Sequence, residues 1–559
     1  MKTLNKYLAI ALAGLSVASC ADLDTEYLGD KVTPDQKQDV LEADPEMALA
    51  GVTGCFSAFV NNNPDREFGD FDIGYPGVMM ALDSKSQDFV GKYSGYNWFF
   101  RMEAYVDCND TGDGTQLFWK TIYSQIYTAN NVLSTIPADT EDAKLMFFRG
   151  QALAVRAFDY WALAQVYQFN YVVNPAAPCV PIITDENQAT VAAEGAPRAS
   201  VEDVYTQILS DINEAIRLLE DSGINPSSVI ESKPKRMVTV ATAYGIRARA
   251  YLAMHKYKEA ADDAQTAINN FAGRPYSMAE VSQPAFNNIN DASWMWGIAM
   301  AETDGAVQTG ILNFPSHMGS FNYGYCQYGG WRWINYNLYQ SIPATDVRKG
   351  WWIDENYQSV NLTAAQTEYL ANYVDENAVV YEGQDKTSTI MPYTQVKYAP
   401  YQNVLGQSTN ASDVPLMRVE EMYLTLAEAT GMSSGVGTGK QILEDFVKAY
   451  RDPSYSCAAA SAEEFQDECW RQRRVEFWGE GMAYYDMMRL NKGMDRVGGL
   501  FPVDFTYRLE PGNDALLYCI PLSEITSNRQ ITSEQNNKSA SRPKPITGNE
   551  EDGGDKGNA

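Results

Sequence analysis

A chain of 559 residues that is 45% apolar and 21% charged has the composition of a globular protein with a large core. Its formal charge of −29 excludes nucleic acid as a partner, because a phosphate backbone asks for a basic footprint, and leaves neutral or cationic ligands. Two histidines and eight scattered cysteines without a Cys-x-x-Cys pair argue against both a structural zinc site and a disulfide framework.

Residues 1–19 read as a signal peptide: Lys2 and Lys6 precede an apolar run from Leu8 to Val17 that is too short to span a bilayer. The ending Val17-Ala18-Ser19-Cys20 resembles the bacterial lipobox, which would make Cys20 the acylated N-terminus of a lipoprotein. Several acyl chains hold stably, at ~0.8 kcal/mol per buried methylene, where one chain is marginal. Acid follows at once in Ala21-Asp22-Leu23-Asp24, resembling the surface-export signal of Bacteroidetes lipoproteins.

Thr33 to Phe59 reads as helix, and Asn61 to Asp113 as loop, because Gly, Asn, Pro and Asp interrupt its apolar runs. Phe118 to Ile136 and Lys144 to Gln168 form a helical hairpin, with Ala152, Ala154, Ala157, Ala162 and Ala164 as close-contact positions. After a proline-punctuated excursion, Ser200 caps a helix whose apolar residues Val204, Ile208, Ile212, Ala215 and Leu219 recur at helical spacing. Tyr244, Ala248, Tyr251, Ala260, Ala264 and Ala267 occupy the large and small packing positions of a tetratricopeptide unit. From Gly273 to about Ser412 helix signals are sparse, apart from Thr363 to Val374. Helices return at Leu416 to Thr430, Gln441 to Tyr450 and Glu463 to Arg489, and residues 539–559 read as a disordered tail.

The irregular segment carries Phe321-Asn-Tyr-Gly-Tyr-Cys-Gln-Tyr-Gly-Gly-Trp-Arg-Trp333, and six of the eleven tryptophans fall between Trp294 and Trp352. Glycines break any helical stripe, so these rings belong to strands or loops, either as a ligand platform or as an aromatic mini-core beneath the excursion. A sugar presents C–H faces that stack on rings and hydroxyls that seek amide, carboxylate or guanidinium partners. Tyr96, Asn97 and Trp98, together with Tyr323, Tyr325, Trp331, Arg332 and Trp333, supply that mixture and are the candidate ligand contacts.

Other motifs carry less. Gly435-Val-Gly-Thr-Gly-Lys440 lacks the first Gly and the final Ser or Thr of a phosphate loop, and reads as an inter-helix linker. Asp107 to Asp113 opens like a calcium loop, but Phe118 stands where the bidentate Glu belongs, so a turn is expected and no metal. Glu476 and Glu480, beside Arg473 and Arg474, read as salt-bridge formers rather than an acid–base pair. His317 has no recognisable nucleophile arrangement. Neither catalytic residues nor a cofactor are expected.

Three segments together resemble the SusD/RagB family of outer-membrane nutrient-binding lipoproteins. They are Gly150-Gln-Ala-Leu-Ala-Val-Arg-Ala-Phe-Asp-Tyr160 with Pro181-Ile182 and Arg198 to Tyr205, Pro415 to Ala429, and Arg473 to Arg489. His255, where a tetratricopeptide turn often has Gly, and Asn491-Lys-Gly493, in place of a ring after the final Arg, depart from the pattern. The resemblance implies a mainly α, tetratricopeptide-like helical-repeat scaffold bearing an irregular, loop-rich ligand-binding segment. A signal peptide at 1–19 would precede a single body at 20–538, with scaffold at about 33–272 and 413–490 and the aromatic segment at about 273–412. It also implies a non-enzymatic, cell-surface lipoprotein of the outer membrane that passes oligosaccharide or polysaccharide to a SusC-like TonB-dependent barrel. A peptide-capturing protein of the RagB type is the alternative, and a surface glycoside hydrolase a more distant one.

Overall fold

The scaffold is a series of helices, each packed on the next. The computed structural model describes residues 41–546 apart from 42, 62–68, 93, 108, 375–388 and 539–541; the signal sequence and Cys20 lie outside the described residues. The chain divides into two units. Residues up to Met47 form one, with a single described turn at Pro45–Met47, and Ala48 onward forms the other, to which everything below refers.

Helix α1 (Ala48–Ser57) ends near the expected boundary. Helix α2 (Tyr75–Lys85) corrects the loop expected over 61–113, and every one of its residues is buried, including Asp83, Ser84 and Lys85. Its Gly and Pro look like breakers in sequence, yet Pro76 sits in the first turn, where the missing N–H would be unpaired anyway. Strand β1 (Phe89–Gly91) follows.

Helix α3 (Asp113–Leu133) begins where the Asp107 carboxylate accepts the backbone N–H groups of Asp113 at 2.9 Å and Gly114 at 2.6 Å, so that side chain closes a helix start. Helix α4 (Ala143–Tyr167) is capped by Asp142 and buried without a break from Gly150 to Tyr167. Its alanines and Gly150, where a Cβ would lie 3.1 Å from Leu219 Cγ, allow close contact with α5 (Val201–Ser222). Ser200 and Asp203 form the capping box of α5. Helices α6 (Val240–Ala253) and α7 (Tyr257–Asn270) form the next pair, with Ala248, Ala260, Ala264 and Ala267 fully buried between neighbours. His255 turns the chain between them at φ 55°, a left-handed conformation that favours glycine, consistent with the Gly it replaces.

The irregular segment is framed by strand β2 (Trp294–Ile298), contains β3 (Arg332–Ile334), and closes with β4 (Val414–Arg418). β2 pairs antiparallel with β4, so the excursion leaves and re-enters the scaffold at one ladder, while β3 pairs antiparallel with β1, placing Gly91 opposite Arg332. The helix expected at Thr363 to Val374 appears as Ala364–Ala371, capped by Thr363.

Helix α8 (Val419–Ser434) packs on α7, and α9 (Val436–Tyr450) packs on α8, so α3 to α9 continue as neighbour on neighbour across the excursion. The linker expected over Gly435 to Lys440 shrinks to one residue: Gly435, at φ 111°, alone separates α8 from α9, and Val436 to Lys440 form the first turn of α9. The helix expected from Glu463 to Arg489 is two helices, α10 (Ala462–Glu476) and α11 (Ala483–Arg489). Gly479 and Gly481, at φ 77° and 73°, break it. A small β5–β6 ladder (Met494–Asp495 with Arg508–Leu509) follows. Part of the expected tail is packed: Arg542 donates to the Asp504 carbonyl at 3.0 Å, and Ile546 is buried.

A buried ionic cluster fastens the excursion to the scaffold. Glu476 accepts from Arg418 at 3.0 Å, Arg451 at 2.8 Å and Arg348 at 3.2 Å, and Glu480 accepts from Lys397 at 2.6 Å and Arg418 at 2.9 Å. Arg348 and Lys397 come from the excursion and the others from the scaffold. The salt-bridging role expected for Glu476 and Glu480 is therefore met, with partners more distant in sequence than Arg473 and Arg474.

Candidate ligand-binding site

Two ring-bearing turns meet beside the β1–β3 ladder. The first, Ser94 to Phe99, follows β1. Ser94 Oγ accepts the N–H groups of Tyr96 at 3.3 Å and Asn97 at 3.2 Å and donates to the Gly329 carbonyl at 3.1 Å, which ties this turn to the second. Asn97 donates to the Lys92 carbonyl at 2.9 Å and accepts the Phe99 N–H at 3.2 Å, an Asx-type brace that fixes the backbone between Tyr96 and Trp98. The second turn, 323–330, leads into β3, and Gly329 there, at φ 111°, permits the reversal.

Tyr96 lies 5.5 Å from Tyr328 and 6.2 Å from Tyr325, ring centre to ring centre. Trp98 stands edge-on to Tyr325 at 6.1 Å, and Tyr323 edge-on to Tyr328 at 5.8 Å. The Tyr328 hydroxyl donates to that of Tyr323 at 3.1 Å. Tyr96, Trp98 and Tyr328 are half-buried and Tyr323 is 42% exposed, so four rings reach solvent together. Tyr325 is buried behind them and donates its hydroxyl to the half-buried Asp70 carboxylate.

His317 stacks on Tyr325 at 4.6 Å and is itself fully buried. Burial first, and the Arg332 charge second, lower it to about 3, so the ring is neutral. Its Nε2 faces the Asp70 carbonyl at 2.8 Å and must carry the proton, since a carbonyl only accepts. His317 thus holds Tyr325 and the Asp70 backbone from below.

The remaining candidates are not on the surface. Trp331 is fully buried in a cluster with Phe321, Cys326, Ile353, Leu370, Ile390 and Val396, and Trp333, Asn97 and Arg332 are buried too. Trp294, Trp296, Trp351 and Trp352 are likewise buried. Trp331 and Trp333 therefore build interior, which corrects their expected role as ligand contacts, while Trp296 packs on Phe59 and Phe158 of the scaffold at 5.4 and 5.1 Å and Trp352 on Trp478 at 5.6 Å. Large rings flanked by glycine in a chain with few helices are the material from which a loop-rich segment makes an interior. Tyr328 is the ring that sequence reasoning left out; its signal was membership in the same aromatic stretch.

Beneath the turns lies a buried pair. Arg332 Nη1 is 3.9 Å from Glu103 Oε1, and the guanidinium lies over the rings of Phe89 at 5.6 Å and Phe99 at 5.9 Å. Burial raises the Glu103 carboxyl to about 7 against the opposing pull of Arg332 and Arg496. Burial likewise lowers the Arg332 guanidinium, which Glu103 partly offsets.

The four rings and Asp70 suit a neutral polyol: the rings offer faces to C–H surfaces, and the phenols and carboxylate offer hydrogen bonds to hydroxyls. Comparison with known proteins follows the same line. Residues 75–252 match a family described as starch-binding and associating with the outer membrane, and residues 328–555 match the SusD family. SusD-like protein P2 of Formosa agariphila is 24% identical over 459 residues, covering 74% of this chain and 79% of the relative. SusD-like protein P38 of the same organism is 22% identical over 501 residues, 82% of this chain and 89% of its own. Among solved structures, a SusD-like carbohydrate-binding protein from Bacteroides vulgatus superposes with a TM-score of 0.69 at 22% identity, covering 88% of this chain and 98% of its own. A laminarin-binding SusD-like protein superposes with a TM-score of 0.60 at 20% identity, over 88% and 98%. At these identities the superpositions establish the shared fold.

Proposed function

We propose that this chain, which belongs to the SusD/RagB family, is a cell-surface glycan-binding lipoprotein that captures oligosaccharide or polysaccharide and passes it to a SusC-like TonB-dependent barrel. One observation carries the reading: Tyr96, Trp98, Tyr323 and Tyr328, contributed by two turns far apart in sequence, gather their rings at the surface beside the Asp70 carboxylate. Soluble proteins seldom leave four neighbouring rings to solvent without a ligand for them. The laminarin-binding relative, which shares the fold, supports a glycan as that ligand. The mechanism is capture without chemistry. Each ring takes one sugar face, several weak contacts add along a chain, and extended glycans therefore bind more tightly than single sugars. Cys20 carries the acyl anchor, and none of the described helices is long and apolar enough to cross a membrane.

The test uses protein starting after Cys20, titrated against panels of polysaccharides and peptides by tryptophan fluorescence, with product analysis for cleavage. Glycan binding that Trp98→Ala weakens at least tenfold, without cleavage, is expected. Binding of peptides alone, or glycan affinity unchanged in Trp98→Ala, overturns the reading. For the anchor, full-length protein should partition into detergent and Cys20→Ala into the aqueous phase.

A further inference from the structure

We infer that Glu103 and Arg332 are a positioning pair that sets the offset between the two ring-bearing turns, and hence the spacing of the rings a glycan meets. The inference rests on the ring cluster being the ligand platform, and it concerns residues that touch no ligand.

Topology gives the first argument. Arg332 belongs to β3, which receives the turn bearing Tyr323 and Tyr328, and it sits opposite Gly91 of β1, from which the turn bearing Tyr96 and Trp98 departs. Whatever fixes the slip between these strands also fixes the 5.5 Å separation of Tyr96 and Tyr328. A ladder of three residue pairs is short, and pairing alone specifies its register weakly.

Convergence of polar groups gives the second. Glu103 Oε2 accepts Asn97 Nδ2 at 3.3 Å, and Asn97 is the brace of the first turn, so Glu103 reaches the platform through one hydrogen bond. A Cβ at Gly91 would fall 2.7 Å from Asn97 Nδ2 and closer still to Glu103 Oε1 and Arg332 Nη1. The three side chains therefore meet at a point that only glycine leaves open, directly on the strand feeding the first turn.

Energetics gives the third. Glu103 and Arg332 are both buried, yet the Arg332 nitrogens and Glu103 Oε1 have no hydrogen-bond partner among the described residues, and the pair itself is a loose 3.9 Å apart. Such a pair is a poor way to stabilise a core, since apolar residues of equal volume would do as well or better. The best-attested use of a buried charge pair that contributes little stability is to select one register over its neighbours. Here the alternative registers would slide Arg332 away from Glu103 and push a side chain into the space beside Gly91.

The test separates platform from positioning. Soluble protein labelled with 5-fluorotryptophan gives a fluorine resonance for Trp98, assigned by its loss in Trp98→Phe, and this reports the first turn without any ligand. In Arg332→Met, which keeps an apolar stem between the two phenylalanines, and in Gly91→Ala, the Trp98 resonance should shift or broaden while the Trp351 resonance, in the core of the excursion, stays in place. Arg332→Met leaves Glu103 buried without its cation and should lower the unfolding midpoint, whereas Arg332→Met combined with Glu103→Leu should unfold at or near the wild-type midpoint; both should bind the best glycan of the panel at least tenfold more weakly, and Arg332→Lys should recover part of that affinity. A Trp98 resonance unchanged in both Arg332→Met and Gly91→Ala overturns the positioning role, whether or not a glycan binds. Weakened binding in Trp98→Ala with affinity within twofold in Arg332→Met overturns it too while leaving the platform standing. If no glycan binds wild type, the platform reading falls and the fluorine spectra still decide the pair.

Discussion

Replacing Glu476 by Gln tests how the excursion is held. The side chain is fully buried, and its two oxygens accept from Arg418, Arg451 and Arg348 at 2.8–3.2 Å. Removing one partner of a buried ionic cluster costs about 3–5 kcal/mol, because the charges left behind are desolvated without compensation. Gln keeps one acceptor oxygen, and Arg348 and Arg451 retain Asp346 and Glu420, so a loss near the lower end, about 3 kcal/mol, is expected. Urea unfolding of the soluble protein at pH 7 measures it as a lower midpoint at constant slope. The pH dependence adds a second reading. Burial alone would raise the Glu476 carboxyl, but Arg451, Arg418 and Arg348 hold it well below the usual carboxylate range. A depressed carboxyl contributes stability that is present above its unfolded value and lost as pH falls through the folded one. The deficit of Glu476→Gln should therefore stay whole from pH 7 down to about 4.5 and shrink only in stronger acid. A loss under about 1 kcal/mol, or a deficit that persists undiminished to the acid limit, would refute the account.

Three further outcomes follow from the same geometry. Trp331→Ala empties the core of the excursion and should lower stability by about 3–5 kcal/mol in urea unfolding, whereas Trp98→Ala should leave the unfolding midpoint nearly unchanged. Asp83 is raised to about 8, chiefly by burial, so it binds its proton more tightly folded than unfolded and the stability this contributes is lost as pH rises toward and through 8. Asp83→Asn, a neutral mimic, should flatten the decline in melting temperature between pH 6 and pH 9. Gly479→Ala places a Cβ against Met318 Cε at a backbone φ of 77°, and a clear loss in melting temperature is expected.

Periodicity made most helices legible. The i, i+4 spacing of Val204 to Leu219 and the Ser200 cap give α5 almost to the residue, and the six tetratricopeptide-like positions fall on the α6–α7 pair. Helix α2 was hidden because Gly74, Pro76 and Gly77 resemble a loop, and because a helix buried on every side has no polar face to give it a period. The break between α10 and α11 turned on Gly479 and Gly481, whose positive φ values are set by tertiary contact rather than by local pattern. Ring-rich turns carry no period that distinguishes inside from outside. Thus Tyr96, Trp98 and Tyr323 reach the surface, while Trp331 and Trp333, in the same kind of sequence, do not. Which rings meet was fixed by the antiparallel pairing of β1 with β3, between segments more than two hundred residues apart.

The β2–β4 ladder has an evolutionary reading. Because the excursion departs from β2 and returns on the adjacent strand β4, its two ends are held side by side by the scaffold itself. A sequence exchanged between them need only span neighbouring points, and loop closure penalises added length only logarithmically. A different sequence between these ends would have to bring a strand that pairs with β1 as well as cations at the positions of Arg348 and Lys397 to neutralise Glu476 and Glu480. Diversification of ligand preference can proceed there while the helices beneath keep their packing.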